Sequence, residues 1–256
     1  MMRLADSRVI ASSPDRLRQA AISFLTVGRG FPLLSFRVVN THIHALVLGD
    51  HATGGEFARR VEISMQKRLH PEVRFSEVHR EPVRDQRHLV STFWYVLRNA
   101  ERHRCAVDPL FEASNLPDLL GMRTLGAWTR EHAWGAYPRL QVAELRELLP
   151  VQPGTVPNHL QCLLDATEAA VGLPPGRLRG QAPSKPQRGE GRQALIAAAH
   201  LAGGSQQQVA DTLQIGRRTV QRMLTTEPRE DLTVAVERQL AVRCAWSALQ
   251  GARGAV

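Results

Sequence analysis

The sequence predicts an α+β chain in two parts, an antiparallel sheet carrying helices in the first half and an all-helical domain in the second. Three observations predict it. Within the first hundred residues, strand-like and helix-like stretches alternate, each with a plausible boundary. Beyond about residue 156 only helical periodicity remains. The length of 256 residues with 43% hydrophobic content suffices for two modest cores.

In order, Arg8 to Ala11 reads as a short strand, and Ser13-Pro14-Asp15 opens a helix with a capping serine and a proline in its first turn, ended by Gly28 to Gly30. Phe31 to Val39 and His42 to Leu48 read as two strands joined around Asn40-Thr41, a turn-forming pair. Gly54-Gly55 precede an amphipathic helix closed by Pro71, Val73 to Val78 reads as a fourth strand, and a further helix runs from about Asp85 to His103. This β-α-β-β-α-β order is that of a ferredoxin-like (RRM-like) antiparallel sheet with helices on its face, and it places a first domain at residues 1–110.

Asn115-Leu116-Pro117, Gly121, Gly126, Gly135 and Tyr137-Pro138 interrupt the next stretch repeatedly, so 111–155 is expected to connect two domains through short elements. In the helical domain, 156–256, a helix from about Pro157 to Val171 stops at Gly172-Leu173-Pro174-Pro175-Gly176. A basic, Pro/Gly-rich segment follows from Arg177 to Gly191. The last helix, Leu232 to Leu249, is apolar around much of its circumference and is expected to pack on this domain or on a second subunit, as in a homodimer.

A formal charge of +9 points to a polyanionic partner, because cationic side chains that neutralise phosphates release condensed counterions. The N-terminus lacks the apolar stretch of a signal peptide, and no apolar run approaches the roughly 18 residues that a spanning helix needs. A cytoplasmic protein is therefore expected. Cys105, Cys162 and Cys244 lie far apart in sequence, without zinc-site spacing, and are expected as buried thiols in a reducing compartment.

The segment Asn40-Thr41-His42-Ile43-His44 carries the first piece of chemistry. On a strand, His42 and His44 project from one face with Cα atoms about 6.8 Å apart, close enough for two imidazoles to chelate one metal. The second piece is Tyr95-Val96-Leu97-Arg98-Asn99, where one helical turn makes Tyr95 and Asn99 neighbours, away from the apolar stripe of Val90, Phe93, Trp94 and Leu97. Two imidazoles and an amide oxygen leave a divalent cation with open positions for phosphodiester oxygens. A tyrosine nearby then serves as nucleophile and stores the bond energy as a phosphotyrosine. The chain's other tyrosine, Tyr137, precedes Pro138 in a segment without a helical i+4 ligand and is expected to pack.

These residues carry a resemblance. Phe36 to Val47 looks like the strand pair of the single-tyrosine HUH transposases, and Tyr95-Val96-Leu97-Arg98-Asn99 resembles the Tyr-Ile-x-x-Asn helix of the REP-associated tyrosine transposases in that group. The similarity spans roughly residues 7 to 120, including Phe111 to Asn115 and Leu119-Leu120-Gly121. It departs at Ala100, where the family has proline, and at Asn40-Thr41, where it has Pro-Asn. The resemblance implies His42, His44 and Asn99 as ligands of Mg²⁺ or Mn²⁺, Tyr95 as nucleophile, and a 5′-phosphotyrosine intermediate on single-stranded or hairpin DNA.

Residues 205–224 read as helix, tight turn, helix. Ser205 with Gln208 makes a capping box, Ala210 allows a close crossing, and Val209, Leu213, Ile215, Val220 and Leu224 supply apolar contacts. Arg217, Arg218, Thr219, Gln221 and Arg222 are left to face a duplex groove. From Leu173 to Thr226, Arg177, Arg179, Lys185, Arg188, Arg192, Arg217, Arg218 and Arg222 stand against Glu190 and Asp211, which concentrates positive charge here for phosphate binding. The block Leu164 to Leu224 resembles the C-terminal DNA-binding domain of the DnaA replication initiator, with Gln214 at the usual turn glycine.

Overall fold

A computed structural model describes residues 1–6, 9–39, 41–69, 74–99, 110–152, 160–180 and 186–254. A small three-stranded antiparallel sheet lies near the N-terminus, and the rest is mostly helical. The chain divides into two compact units, residues 1–120 with 126–149, and residues 121–125 with 150–256. Among the described residues no helix is long and apolar enough to cross a membrane.

In the first unit, β1 (Met2–Arg3), α1 (Pro14–Gly28), β2 (Leu33–Val38), β3 (His42–Val47), α2 (His51–Leu69) and α3 (Gln86–Leu97) follow one another. The strand order is β1-β3-β2, with Met2 opposite Ile43, Phe36 opposite Ala45 and Arg37 opposite His44. The first strand differs from the sequence expectation. Met2 and Leu4 are buried on either side of exposed Arg3, a period-2 pattern that puts the ladder here, whereas Val9, Ile10 and Ala11 form no strand. Ile10 and Ala11 are buried as packing ahead of α1.

The expected fourth strand is reduced, among the described residues, to one bridge between Phe75 and Leu4. The segment nevertheless runs antiparallel along β1, where Ser76 N donates to Arg3 O at 2.8 Å and Ala5 N to Arg74 O at 3.0 Å. The opposite sheet edge is closed by Asn115. Its Oδ1 accepts from Phe36 N at 3.0 Å and its Nδ2 donates to Leu34 O at 2.9 Å, so β2 presents no bare edge there.

Local chemistry sets the helix starts. Ser13 caps α1 by accepting from Arg16 N, with Pro14 at the first position as expected. Helix α2 begins at His51, earlier than Gly54-Gly55, because the Asp50 carboxylate accepts from Thr53 N at 2.8 Å and from the Thr53 hydroxyl at 2.7 Å. Those bonds hold the Asp50 carboxyl below its ordinary range. Asp85 caps α3 through His88 N at 2.8 Å. Helix α3 ends at Leu97, not near His103: Arg98 leaves helical geometry (φ −87°, ψ 3°) and Asn99 is helical again. Residues 100–103 of the expected helix lie outside the described residues.

The stretch expected to connect two domains packs largely within the first unit, as α4 (Leu116–Leu119), α5 (Thr129–Ala136) and α6 (Val142–Arg146). Its apolar residues explain this, since Ala113, Leu116, Leu119 and Leu145 are wholly buried. A buried ion pair, Arg18 with Glu112, ties this stretch to α1.

The second unit contains α7 (Leu160–Val171), α8 (Pro186–Leu201), α9 (Gln206–Leu213), α10 (Arg217–Leu224) and α11 (Glu230–Gly254) around Leu164, Leu195, Ile196, Val209, Leu213, Val220 and Leu232. Ser205 and Gln208 form the expected capping box, and Gln214 turns the chain into α10 in a left-handed conformation (φ 55°, ψ 46°). Before α8, the buried Glu168 carboxylate accepts from Gly176 N and Leu178 N, both at 2.8 Å, and so shapes the loop after α7.

Candidate active site and basic helix

The alternation of β3 puts Ile43 into the core and His42 and His44 on the opposite face. Their rings lie 4.9 Å apart between centroids, nearly perpendicular. Helix α3 covers this face because Leu89, Phe93, Val96 and Leu97 bury its inner side, which turns Tyr95 outward. The Tyr95 ring meets His44 edge-on at 5.3 Å. Asn99, fully buried, places Oδ1 3.2 Å from His42 Nε2, and its Nδ2 has no hydrogen-bond partner among the described residues. The four residues singled out in the sequence thus meet in one place, through two strand positions and two helical ones.

Thr41 adds a fifth group, which sequence reasoning passed over as part of a turn. Its hydroxyl lies 3.1 Å from His42 Nδ1. When that oxygen accepts Nδ1–H, the lone pair of Nε2 points towards Asn99 Oδ1, so a nitrogen and an oxygen donor converge. Two imidazole nitrogens and an amide oxygen are a mixed donor set of the kind that divalent transition metals accept. Among the described residues no three His, Cys, Asp or Glu side chains gather as a metal-binding group, so a cation held here would need the amide as its third protein donor.

Beside Tyr95 an open groove of about 520 Å³ is lined by His44, His79, Glu81, His88, Ser91 and Thr92 among others. Tyr95 is 36% exposed and lines this groove. Arg37, opposite His44 on β2, is 2% exposed, with its guanidinium 4.2 Å above the Phe111 ring. No sequence signal marks it, since one arginine in an otherwise apolar strand looks like a surface position. Tyr137 packs against Phe93, as expected of a structural tyrosine.

In the second unit, α10 buries Val220 and leaves Arg217, Arg218, Gln221 and Arg222 exposed, with Thr219 half-buried. Arg177 is exposed as well. The remaining basic residues differ from expectation. Arg188 and Arg192 are 8% and 9% exposed. Arg188 donates to the carbonyls of Arg179 and Gly180, and Arg192 to those of Leu178 and Gly180. Buried carbonyls of the loop after α7 need donors, and these guanidinium groups supply them instead of meeting phosphate. Burial, reinforced by the Arg188 charge, lowers the pKa of Arg192. Arg179 is half-buried and donates to Gln161 at 2.7 Å. Lys185 lies outside the described residues.

Compared with family models, with curated proteins and with solved structures, the chain matches none.

Proposed function

We propose that the protein is a transposase-like enzyme of the cytoplasm that cuts and rejoins single-stranded or hairpin DNA through Tyr95, with a divalent cation held by His42, His44 and Asn99. The observation that carries this reading is the convergence of those four side chains on one sheet face. Chance gives no reason for a buried amide to face an imidazole while the nearest tyrosine stays exposed beside a groove. The β-α-β-β-α order, with the 74–79 segment lying along β1, supports a ferredoxin-like reading of the first unit.

The Tyr95 oxygen attacks phosphorus in line, its proton leaves to solvent, and the bond to the departing strand breaks; the leaving 3′ oxygen takes up a proton from solvent, so that strand ends in a 3′-hydroxyl and the protein carries a 5′-phosphotyrosine. Reversal with a new 3′-hydroxyl rejoins the DNA. A bound Mg²⁺ or Mn²⁺ supplies charge stabilisation at the non-bridging oxygens. His44 fixes the edge of the tyrosine ring, and Asn99 with Thr41 orients His42.

For the second unit we propose a duplex-binding helix-turn-helix, with α10 entering the groove. The support is that Val220 is buried while four polar residues of α10, three of them arginine, are exposed. The test is incubation of the full chain with end-labelled hairpin DNA and Mg²⁺, followed by denaturing electrophoresis. A covalent protein–DNA band is expected. Its absence across hairpins and single strands of varied sequence overturns the enzyme reading and leaves a DNA-binding regulator.

A further inference from the structure

Trp94 belongs by sequence to the apolar stripe of α3, yet the fold does not take it into the core. Helix α3 buries Leu89, Phe93, Val96 and Leu97 and leaves Trp94 half-buried. The guanidinium of Arg98, itself exposed, lies over the Trp94 ring at 5.3 Å from its centroid. Steps of four, three and four residues return to one side of a helix, so Arg87, Ser91, Trp94 and Arg98 fall on one stripe. One residue of helix turns about 100°, so this stripe runs beside the one that holds His88, Thr92 and Tyr95. Arg87 and Ser91 are exposed, and Ser91 also lines the groove beside Tyr95, so the stripe borders that groove. From Arg87 to Arg98 it extends about 16 Å, long enough for a few nucleotides of one strand. Helix α3 contains no acidic residue that would oppose a phosphate chain.

We propose that Arg87, Trp94 and Arg98 form a single-strand-binding platform along α3, on which one unpaired base stacks on the Trp94 indole while the two arginines hold the flanking phosphates. The proposal rests on the nuclease reading in one respect, that the strand held here is the one presented to Tyr95. Its chemistry is that of single-strand binding in general: an aromatic face accepts any base, and cations on either side follow the backbone. A duplex does not fit this description, because its bases are stacked on one another and show no free face. Arg98 has a double part. Without DNA it covers the indole, and being exposed it can yield the ring face to a base and turn to the adjoining phosphate. The platform is therefore sequence-tolerant and selects unpaired DNA, whereas α10 in the other unit is the part proposed for duplex.

The experiment uses the full chain without divalent cation, so that no strand is cut, and has two parts. In the first, the native chain is irradiated with an oligothymidine carrying iodouracil, whose photochemistry joins a stacked base to an aromatic ring, and peptides are mapped by mass spectrometry. A cross-link at Trp94 is expected, and cross-links confined to other residues overturn the proposal. In the second, fluorescence anisotropy of a labelled oligothymidine compares variants. Trp94→Leu should weaken binding about 5- to 140-fold with the salt slope unchanged, and Trp94→Phe should recover most of that loss. Arg87→Gln with Arg98→Gln should lower the slope by about 1.4, for two phosphates of a single strand. A labelled duplex should bind every variant as it binds the parent, which a misfolded variant would not show. Oligothymidine affinity at the parent's value in Trp94→Leu overturns the platform, and the nuclease reading survives that result if the parent still forms its hairpin adduct with Mg²⁺. A parent that forms no adduct, yet loses single-strand affinity on Trp94→Leu, keeps the platform and loses the nuclease.

Discussion

Removing one oxygen atom isolates the chemistry assigned to Tyr95. Tyr95→Phe keeps the ring that meets His44 at 5.3 Å and loses only the attacking group. It should abolish the covalent DNA adduct while metal titration by calorimetry stays at the wild-type affinity. A surviving adduct would move the nucleophile elsewhere. Thr41 carries a subtler expectation, because its hydroxyl touches the nitrogen of His42 that faces away from Asn99. Groups that hold a ligand histidine in one tautomer typically change metal affinity about 10–100-fold when removed. Thr41→Val should weaken Mn²⁺ binding within that range and Thr41→Ser should restore it; equal affinities in all three proteins would reduce Thr41 to a turn residue. That His42, His44, Tyr95 and Asn99 lie near one another was legible from their spacing, two along a strand and four along a helical stretch, although the helix is interrupted at Arg98 before Asn99. Arg37 was not legible, since its surroundings come from β3 and residue 111, whose proximity no local pattern encodes; Thr41 was passed over because Asn40-Thr41 reads as a turn, although its partner His42 is the next residue.

Helix starts were readable where a capping side chain precedes a periodic run, as at Ser13, Asp85 and Ser205. Reading failed where two candidates competed. Gly54-Gly55 looked like a boundary before α2, but Asp50 supplies the cap, and both glycines lie inside the helix. The short N-terminal strand was missed because two residues give too brief an alternation to stand out beside the apolar Val9-Ile10-Ala11. The turn between α9 and α10 gives a stability test. Gln214 adopts φ 55°, where a side chain is strained and glycine is not. Gln214→Gly should raise the stability of the second unit by about 0.5–1 kcal/mol, read from urea denaturation followed by circular dichroism. An unchanged or lower midpoint would mean that the glutamine side chain supports the turn by contacts that offset the strain.

Charge was the broadest signal in the sequence, and the fold divides it. Of the eight basic residues between Leu173 and Thr226, Arg188 and Arg192 hold loop carbonyls and Arg179 is half-buried, while Arg177, Arg217, Arg218 and Arg222 stand exposed. Each phosphate neutralised on a duplex contributes about −0.9 to the slope of log affinity against log salt. Eight contacts would give a slope of about −7, whereas the four exposed arginines with Lys185 would give about −4.5. The shallower value is expected, measured by fluorescence anisotropy of a labelled duplex over a salt series. Replacing Arg217, Arg218 and Arg222 together by alanine should then remove about 2.7 units of that slope, since α10 presents all three on its exposed side. Arg192→Ala should behave differently: it removes the guanidinium donor of the Leu178 carbonyl and leaves Gly180 with Arg188 alone, so it should lower the melting temperature and leave the salt slope within error. The adduct formed with single-stranded hairpin DNA should persist in the triple variant, because His42, His44, Tyr95 and Asn99 belong to the other unit. A triple variant with the wild-type salt slope would remove α10 from the duplex interface, and a steep slope near −7 in the parent would return Arg188 and Arg192 to it.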